Sequence, residues 1–155
     1  MKPFALIALE IKSVPHSYRK CCNPFQSVGA IELGKSPEII RSVINSPWRS
    51  FLKGSTPTDA FEDAGIYVYY DKSNKSEAIE FFTPASLTFQ GKVLVDKPYK
   101  EIRDWLASID SNIIHNDSGI EARSLGIGLY APSFDENERP DELVEAIIVV
   151  CKGYW

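Results

Sequence analysis

Apolar and polar positions along this chain run through one pattern twice. Ile31-Glu32-Leu33-Gly34-Lys35-Ser36-Pro37, with Ile40-Arg41 and Ile44 behind it, returns as Val93-Leu94-Val95-Asp96-Lys97-Pro98, with Ile102-Arg103 and Leu106 behind it. Further on, Gly65-Ile66-Tyr67-Val68-Tyr69 lines up with Gly126-Ile127-Gly128-Leu129-Tyr130, and residues 77–82 with residues 145–150. A repeat of about 60 residues is the size of a duplicated supersecondary unit and too long for one turn of a solenoid. The pattern changes period inside each copy. Ser36-Pro37-Glu38 is a helix start, with a proline fit for the first turn, and Ile39, Ile40, Val43 and Ile44 follow at helical spacing until Asn45-Ser46-Pro47. The runs around Val68 and Ile79 instead alternate with a period of two, as strands do.

Taken along the chain, these signals predict a strand over residues 4–11, an irregular connection over 13–27, a short strand over 28–33, and the first helix. Residues 48–58, with Gly54-Ser55-Thr56-Pro57, read as a loop. Residues 65–71 and 77–82 read as a hairpin about Lys72-Ser73-Asn74-Lys75. The second copy opens with a strand over 87–95, continues with a helix over 98–109, and ends with strands over 125–131 and 143–151 separated by an insertion over 132–142. Trp105 takes the place of Val43 in the helix repeat and is expected to be largely buried. The predicted fold class is α+β: residues 1–155 as a single domain of two tandem helix-plus-antiparallel-hairpin repeats, about 28–84 and 87–151. One continuous antiparallel sheet is expected, with the helices on one face.

The period of two divides the strand residues between the faces. Ile66, Val68, Ile79, Phe81, Ile127, Leu129, Ile147 and Val149 are expected to face the helices. Tyr67, Tyr69, Tyr130, Ala78, Glu80 and Phe82 fall on the other side. Aromatic and acidic residues on an uncovered sheet face form a candidate docking surface, although cross-strand pairing alone also employs such tyrosines.

Composition narrows the function classes. The chain has 155 residues, 44% of them hydrophobic, enough for one core. With 17 basic and 21 acidic residues, the net charge of −4 speaks against direct nucleic-acid binding and suits a partner with a basic surface. The apolar run near the start meets Glu10 and Lys12 and has no signal-peptide cleavage site behind it, so the expectation is a soluble, cytoplasmic protein without membrane contact.

Cys21, Cys22 and Cys151 imply no disulfide framework. His16 with Cys21 and Cys22 lacks the second ligand pair of a zinc site, so no metal is expected. A thiol nucleophile at Cys21 or Cys22, with His115 as base, rests on no spacing signal. Gly126-Ile127-Gly128 lies within a strand pattern and lacks the third glycine and the following helix of a dinucleotide loop, so no cofactor is expected either. The acidic run over 134–145 is either a solvated loop or a charged lip for a basic partner, with Asp135, Glu136 and Glu138 at its centre.

The repeated Leu33-Gly34-Lys35-Ser36 helix entry, together with the order of elements, resembles the repeat of the β-lactamase inhibitor protein fold and of small bacterial envelope lipoproteins that share it. Gly65-Ile66-Tyr67-Val68-Tyr69-Tyr70-Asp71, Glu77-Ala78-Ile79-Glu80-Phe81-Phe82 and the closing Gly153-Tyr154-Trp155 are similar to immunity partners of bacterial toxin systems. That resemblance implies a non-enzymatic, stoichiometric protein inhibitor that uses its open sheet face against a cognate toxin, with a basic nuclease as the candidate that the acidic charge favours. On this expectation Tyr67, Tyr69 and Tyr130 are anchors with Phe82 beside them, Glu80 is the central acid, and Asp135, Glu136 and Glu138 form the rim. The rival expectations are a scaffold protein of the same repeat fold and a thiol-dependent enzyme.

Overall fold

The computed structural model describes residues 7–11 and 19–155, with side chains from Pro24 onward. Its elements in chain order are β1 (Ile7–Ile11), β2 (Arg19–Asn23), β3 (Ser27–Val28), β4 (Ile31–Glu32), α1 (Pro37–Ile44), β5 (Arg49–Lys53), β6 (Thr56–Phe61), β7 (Ile66–Tyr70) and β8 (Ser76–Phe82). The chain goes on through β9 (Ala85–Phe89), β10 (Lys92–Val93), α2 (Tyr99–Ile109), β11 (Ile113–Asn116), β12 (Gly119–Ala122), β13 (Ile127–Tyr130) and β14 (Ala146–Val150). The class is α+β. The main sheet is eight-stranded and antiparallel, in the order β11-β12-β13-β14-β8-β7-β6-β5, so two four-strand meanders meet edge to edge at β14 and β8.

The expected single sheet is corrected to two. A six-stranded sheet in the order β10-β9-β1-β2-β3-β4 collects the short hairpins that precede each helix. Val28, Ile31, Leu87 and Phe89 bury on the helical side of the core, and β1 and β2 supply the backbone partners that those hairpins need there. Two connections also prove to be ordered strands. Residues 48–58 hold β5 and the first half of β6, turning at Gly54, and the described part of segment 13–27 holds β2. Residues 4–6 of the predicted first strand, and His16, lie outside the described residues.

Local sequence accounts for the helix ends. Ser36 is extended (φ −70°, ψ 158°) ahead of Pro37, and Asn45 adopts the left-handed conformation (φ 51°) while its N–H donates to the Arg41 carbonyl. Both helices bury one stripe, Ile40 and Ile44 from α1, Ile102 and Leu106 from α2, against one core. All eight residues expected to face the helices belong to that core. Trp105 is partly buried: its ring meets the edge of Phe89, with the Lys92 ammonium 5.5 Å from its centre. An indole at the flank of the helix packs against the core it borders, so most of the ring is out of water while one edge stays exposed.

Several backbone bonds have counterparts in the two halves. Gly34 N–H donates to the Ser76 carbonyl (2.6 Å) and Ser76 N–H to the Lys35 carbonyl (2.8 Å); Asp96 and Val144 (3.0 Å), then Val144 and Lys97 (2.8 Å), make the same pair of bonds. Phe82 N–H donates to Gly65 O (2.9 Å) and Val150 N–H to Gly126 O (3.0 Å). Gly65 (φ 72°) and Gly126 (φ 67°) both sit in the left-handed region at the entry to the third strand of a meander.

Candidate functional site

The helices and the second sheet cover one face of the main sheet, and the opposite face carries the candidate residues. Strand register places Ala60, Tyr67, Glu80, Ile148, Gly128 and Glu121 in one row across the sheet, with the Glu80–Ile148 pair at the seam between the meanders. Phe82, Ala146 and Tyr130 form the row on one side, and Phe51, Thr58, Tyr69 and Ala78 the row on the other. Tyr67, Tyr69, Glu80, Phe82 and Tyr130 therefore share a face, as parity requires.

Their environments differ. Tyr67 is wedged edge-on between Phe51 (5.9 Å) and Phe82 (4.9 Å), a geometry that suits ring quadrupoles. Tyr69 is buried, so its expected role as an exposed anchor is corrected: the Lys53 ammonium donates to its hydroxyl (2.8 Å), and the hydroxyl donates in turn to Glu80. Burial and that bond to Glu80 push the phenol well above its ordinary pKa, so it stays neutral. Tyr130, at the place in the second meander that Tyr69 holds in the first, is 44% exposed.

The segment after β14 folds over this face. Trp155 packs beside Tyr69, Ala78 and Val150, and its ring edge lies 3.4 Å from where a Cβ on Gly128 would stand. Arg123 sits 5.9 Å from the Trp155 ring centre and donates twice to Glu121 Oε1, from Nε (2.9 Å) and Nη2 (2.7 Å). Between Tyr130 and Trp155 is a hollow of about 470 Å³, floored by Gly128, Ala146 and Ile148 and edged by Glu80 and Glu121. At Gly128, where the first meander carries Tyr67, the place of a side chain is taken by the Ile148 methyl and the Trp155 ring, 2.7 and 3.4 Å from where a Cβ would stand.

The acidic loop does not join this site. Asp135 turns inward on its own loop, accepting from the N–H groups of Asn137 and Glu138, both at 2.8 Å, and those bonds hold its carboxyl below the usual range. Glu136 pairs with Lys100 (3.0 Å) and Arg103 (3.3 Å) of α2, which lower its pKa. Glu138 reaches only Arg139, at 3.6 Å. Phe134 stacks on Tyr99 nearby and packs against the helical core, which ties the loop to the helix side. Of the three acids Glu136 alone pairs with α2, and among the described residues no bond or ion pair joins any of them to the aromatic face.

One constellation escapes the sequence reading altogether. Asp59 is 1% exposed on the core side of β6, and it accepts from Arg41 Nε (2.8 Å) and Nη2 (3.0 Å), Ser50 Oγ (2.5 Å) and the Tyr70 hydroxyl (2.9 Å). Burial raises its pKa, but the donors from Arg41, Ser50 and Tyr70 outweigh that and the carboxyl titrates below its ordinary value. Its oxygens are fully used, which marks a structural polar core. Cys21 and Cys22 lie on β2 opposite Ala8 and Ile7. Cys151 is half-buried, and its thiol is pushed up by burial and the nearby Glu77. Among the described residues no group of three His, Cys, Asp or Glu side chains is placed to hold a metal ion, and no helix is long and apolar enough to cross a membrane. Set against known proteins, the chain matches no family model, no curated protein and no solved structure.

Proposed function

We propose that this protein is a non-enzymatic binding domain whose open sheet face receives a protein partner, and that it serves as an immunity protein that blocks a bacterial toxin. The observation that carries the reading is the hollow beside Gly128, where a sheet face otherwise surfaced by paired aromatic rings leaves the exposed Tyr130 next to two half-buried carboxylates, Glu80 and Glu121. Interfaces of tight complexes centre on such cavities, because a large side chain seated there loses most of its water. The net charge of −4 suits a basic toxin, a nuclease among them. The partner surface is therefore Tyr67, Glu80, Phe82 and Tyr130. Asp135, Glu136 and Glu138 act as a separate field on the helical flank.

The scaffold is read as a duplicated unit of hairpin, helix and four-strand meander. The paired backbone bonds and the two left-handed glycines support this, because unrelated halves would have no reason to share them.

Co-expression with a toxin domain encoded beside the gene tests the function. Growth protection with a stable one-to-one complex is expected, together with faster dissociation for Tyr130→Ala and Phe82→Ala. A complex indifferent to both substitutions moves the interface off this face, and no complex and no protection removes the immunity role.

A further inference from the structure

We propose that the hollow between Tyr130 and Trp155 is a receptor for an arginine side chain of the partner. This rests on the reading of the open face as the partner surface, and it names what enters there.

Three independent features point to a guanidinium. Rings on this face are matched: Arg49 lies 4.9 Å from the Phe51 centre, Tyr67 contacts Phe51 and Phe82, Lys53 lies 5.1 Å from Tyr69, and Arg123 covers Trp155. Tyr130, among the described residues, has no ring and no cation against it, although it is the most exposed of these tyrosines. An unmatched electron-rich face at the wall of a cavity attracts a cation. The second feature is the pair of carboxylates. Glu80 and Glu121, with side chains 20% and 21% exposed, each accept hydrogen bonds on Oε1 alone, which leaves Oε2 of each without a donor among the described residues. The third is shape: the hollow of about 470 Å³ is lined by the small Ala146 and by Ile148 between the Tyr130 and Trp155 side chains, which leaves room for a flat group.

Arginine satisfies all three at once. Its planar fork offers N–H groups to a carboxylate while its face rests on a phenol, and a lysine ammonium, a hydrated point charge, does the second poorly. The chain already contains a copy of this arrangement, since Arg123 bonds Glu121 through two nitrogens while facing the Trp155 ring. Lys53, 3.6 Å from Glu80 Oε1, offsets part of the charge and sets the limit on affinity.

The test is an amide NMR titration of the full chain with N-acetyl-arginine amide up to tens of millimolar, and in parallel with the lysine and tyrosine analogues. Saturable shifts are expected at Gly128, Tyr130, Ala146 and Ile148 with arginine, weaker ones with lysine. Tyr130→Leu and Glu121→Gln should each weaken binding roughly threefold to fivefold, Lys53→Met should tighten it, and Glu138→Gln should leave it unchanged. The same spectra report whether each variant is folded, and Tyr130 is exposed enough that Tyr130→Leu leaves the fold intact. No localised shift with arginine, equal or larger shifts with the tyrosine analogue, or binding unchanged in Tyr130→Leu overturns the proposal. No toxin enters this measurement, so its failure leaves the immunity reading standing, and loss of the immunity reading leaves the arginine result intact.

Discussion

The first meander, β5 to β8, and the second, β11 to β14, share strand pairing and the left-handed glycine ahead of their third strands but fill their equivalent positions with opposite chemistry. On the core side, the second strand of the first meander carries Asp59 paired across to Val68, where the second meander has Ile120 paired to Leu129. On the open side the first has Tyr67 and a buried Tyr69; the second has Gly128 and an exposed Tyr130. One half therefore buries a carboxylate within an otherwise apolar core and is sealed without, and the other has an aliphatic residue at that place and is hollow without. The lesson is that the backbone plan tolerates either solution, so the hollow is a property of side-chain choice and is free to be used for binding.

The largest expected effect separates the two interiors. Arg41→Met removes the strongest partner of a nearly inaccessible carboxylate, and about 3 kcal/mol of stability should go with it. Arg103→Met, at the matching helix position, loses ion pairs with the exposed Asp104 and Glu136 and the contacts with the Tyr99 and Phe134 rings, and should cost about 1 kcal/mol. Urea unfolding at neutral pH measures both, and equal losses would break the comparison. The double variant Arg41→Met/Asp59→Ile gives position 59 the side chain that Ile120 has in the second half and should recover most of the loss, since an apolar replacement of a buried pair is often neutral. The folded pKa of Asp59 lies below its unfolded value, so its contribution is complete at neutral pH and is lost as pH falls from about 4 through the folded value. The stability difference between wild type and the double variant should therefore be flat at neutral pH and change only in that acid window.

The helices were legible because Pro37 and Pro98 announce them, and the central hairpin was legible because Ile66 to Tyr70 and Glu77 to Phe82 alternate cleanly. Strands β5 and β6 were not. β5 is a peripheral strand with Arg49, Ser50 and Lys53 on it, charges that protect a free edge, and Pro57 in β6 reads as a loop residue although it pairs with Leu52 next to that edge. β11 and β12 were missed because Asn112, His115, Asn116 and Asp117 leave too short a periodic run. The parity of the open face could be counted from sequence, so Tyr67, Glu80, Phe82 and Tyr130 were found. The burial of Tyr69 could not, since it depends on Lys53 and on Trp155 returning from far along the chain.

A smaller effect sharpens the comparison at the turn glycines. A Cβ on Gly65 would stand 2.1 Å from the Phe82 carbonyl, while one on Gly126 would meet the Phe25 ring at 2.7 Å and the Val150 carbonyl at 3.1 Å. Both residues are left-handed, so both alanine variants lose stability, but a carbonyl fixed in the sheet yields less than a ring. Gly65→Ala should cost about 2–3 kcal/mol and Gly126→Ala about 1 kcal/mol less. Thermal unfolding of the two variants side by side is the check, and the reverse order would show that the first meander yields more easily than its register suggests.

The smallest expected change in stability belongs to the equivalent tyrosines. Tyr69→Phe deletes a hydroxyl that bridges Lys53 and Glu80 and should cost about 1 kcal/mol, because the half-buried carboxylate loses its donor. Tyr130→Phe deletes a hydroxyl with no hydrogen-bond partner among the described residues on a 44% exposed side chain, and it should shift stability by less than about 0.5 kcal/mol. Tyr130→Ala should be nearly as mild for folding, yet it removes one wall of the hollow. If the second meander is the binding half, Tyr130→Ala should leave the urea midpoint almost in place while it speeds release of the partner. A Tyr130→Ala variant as destabilised as Tyr69→Phe would make its ring a sheet-stabilising residue, and the contrast between a sealed half and an open half would then fail on the face where it matters most.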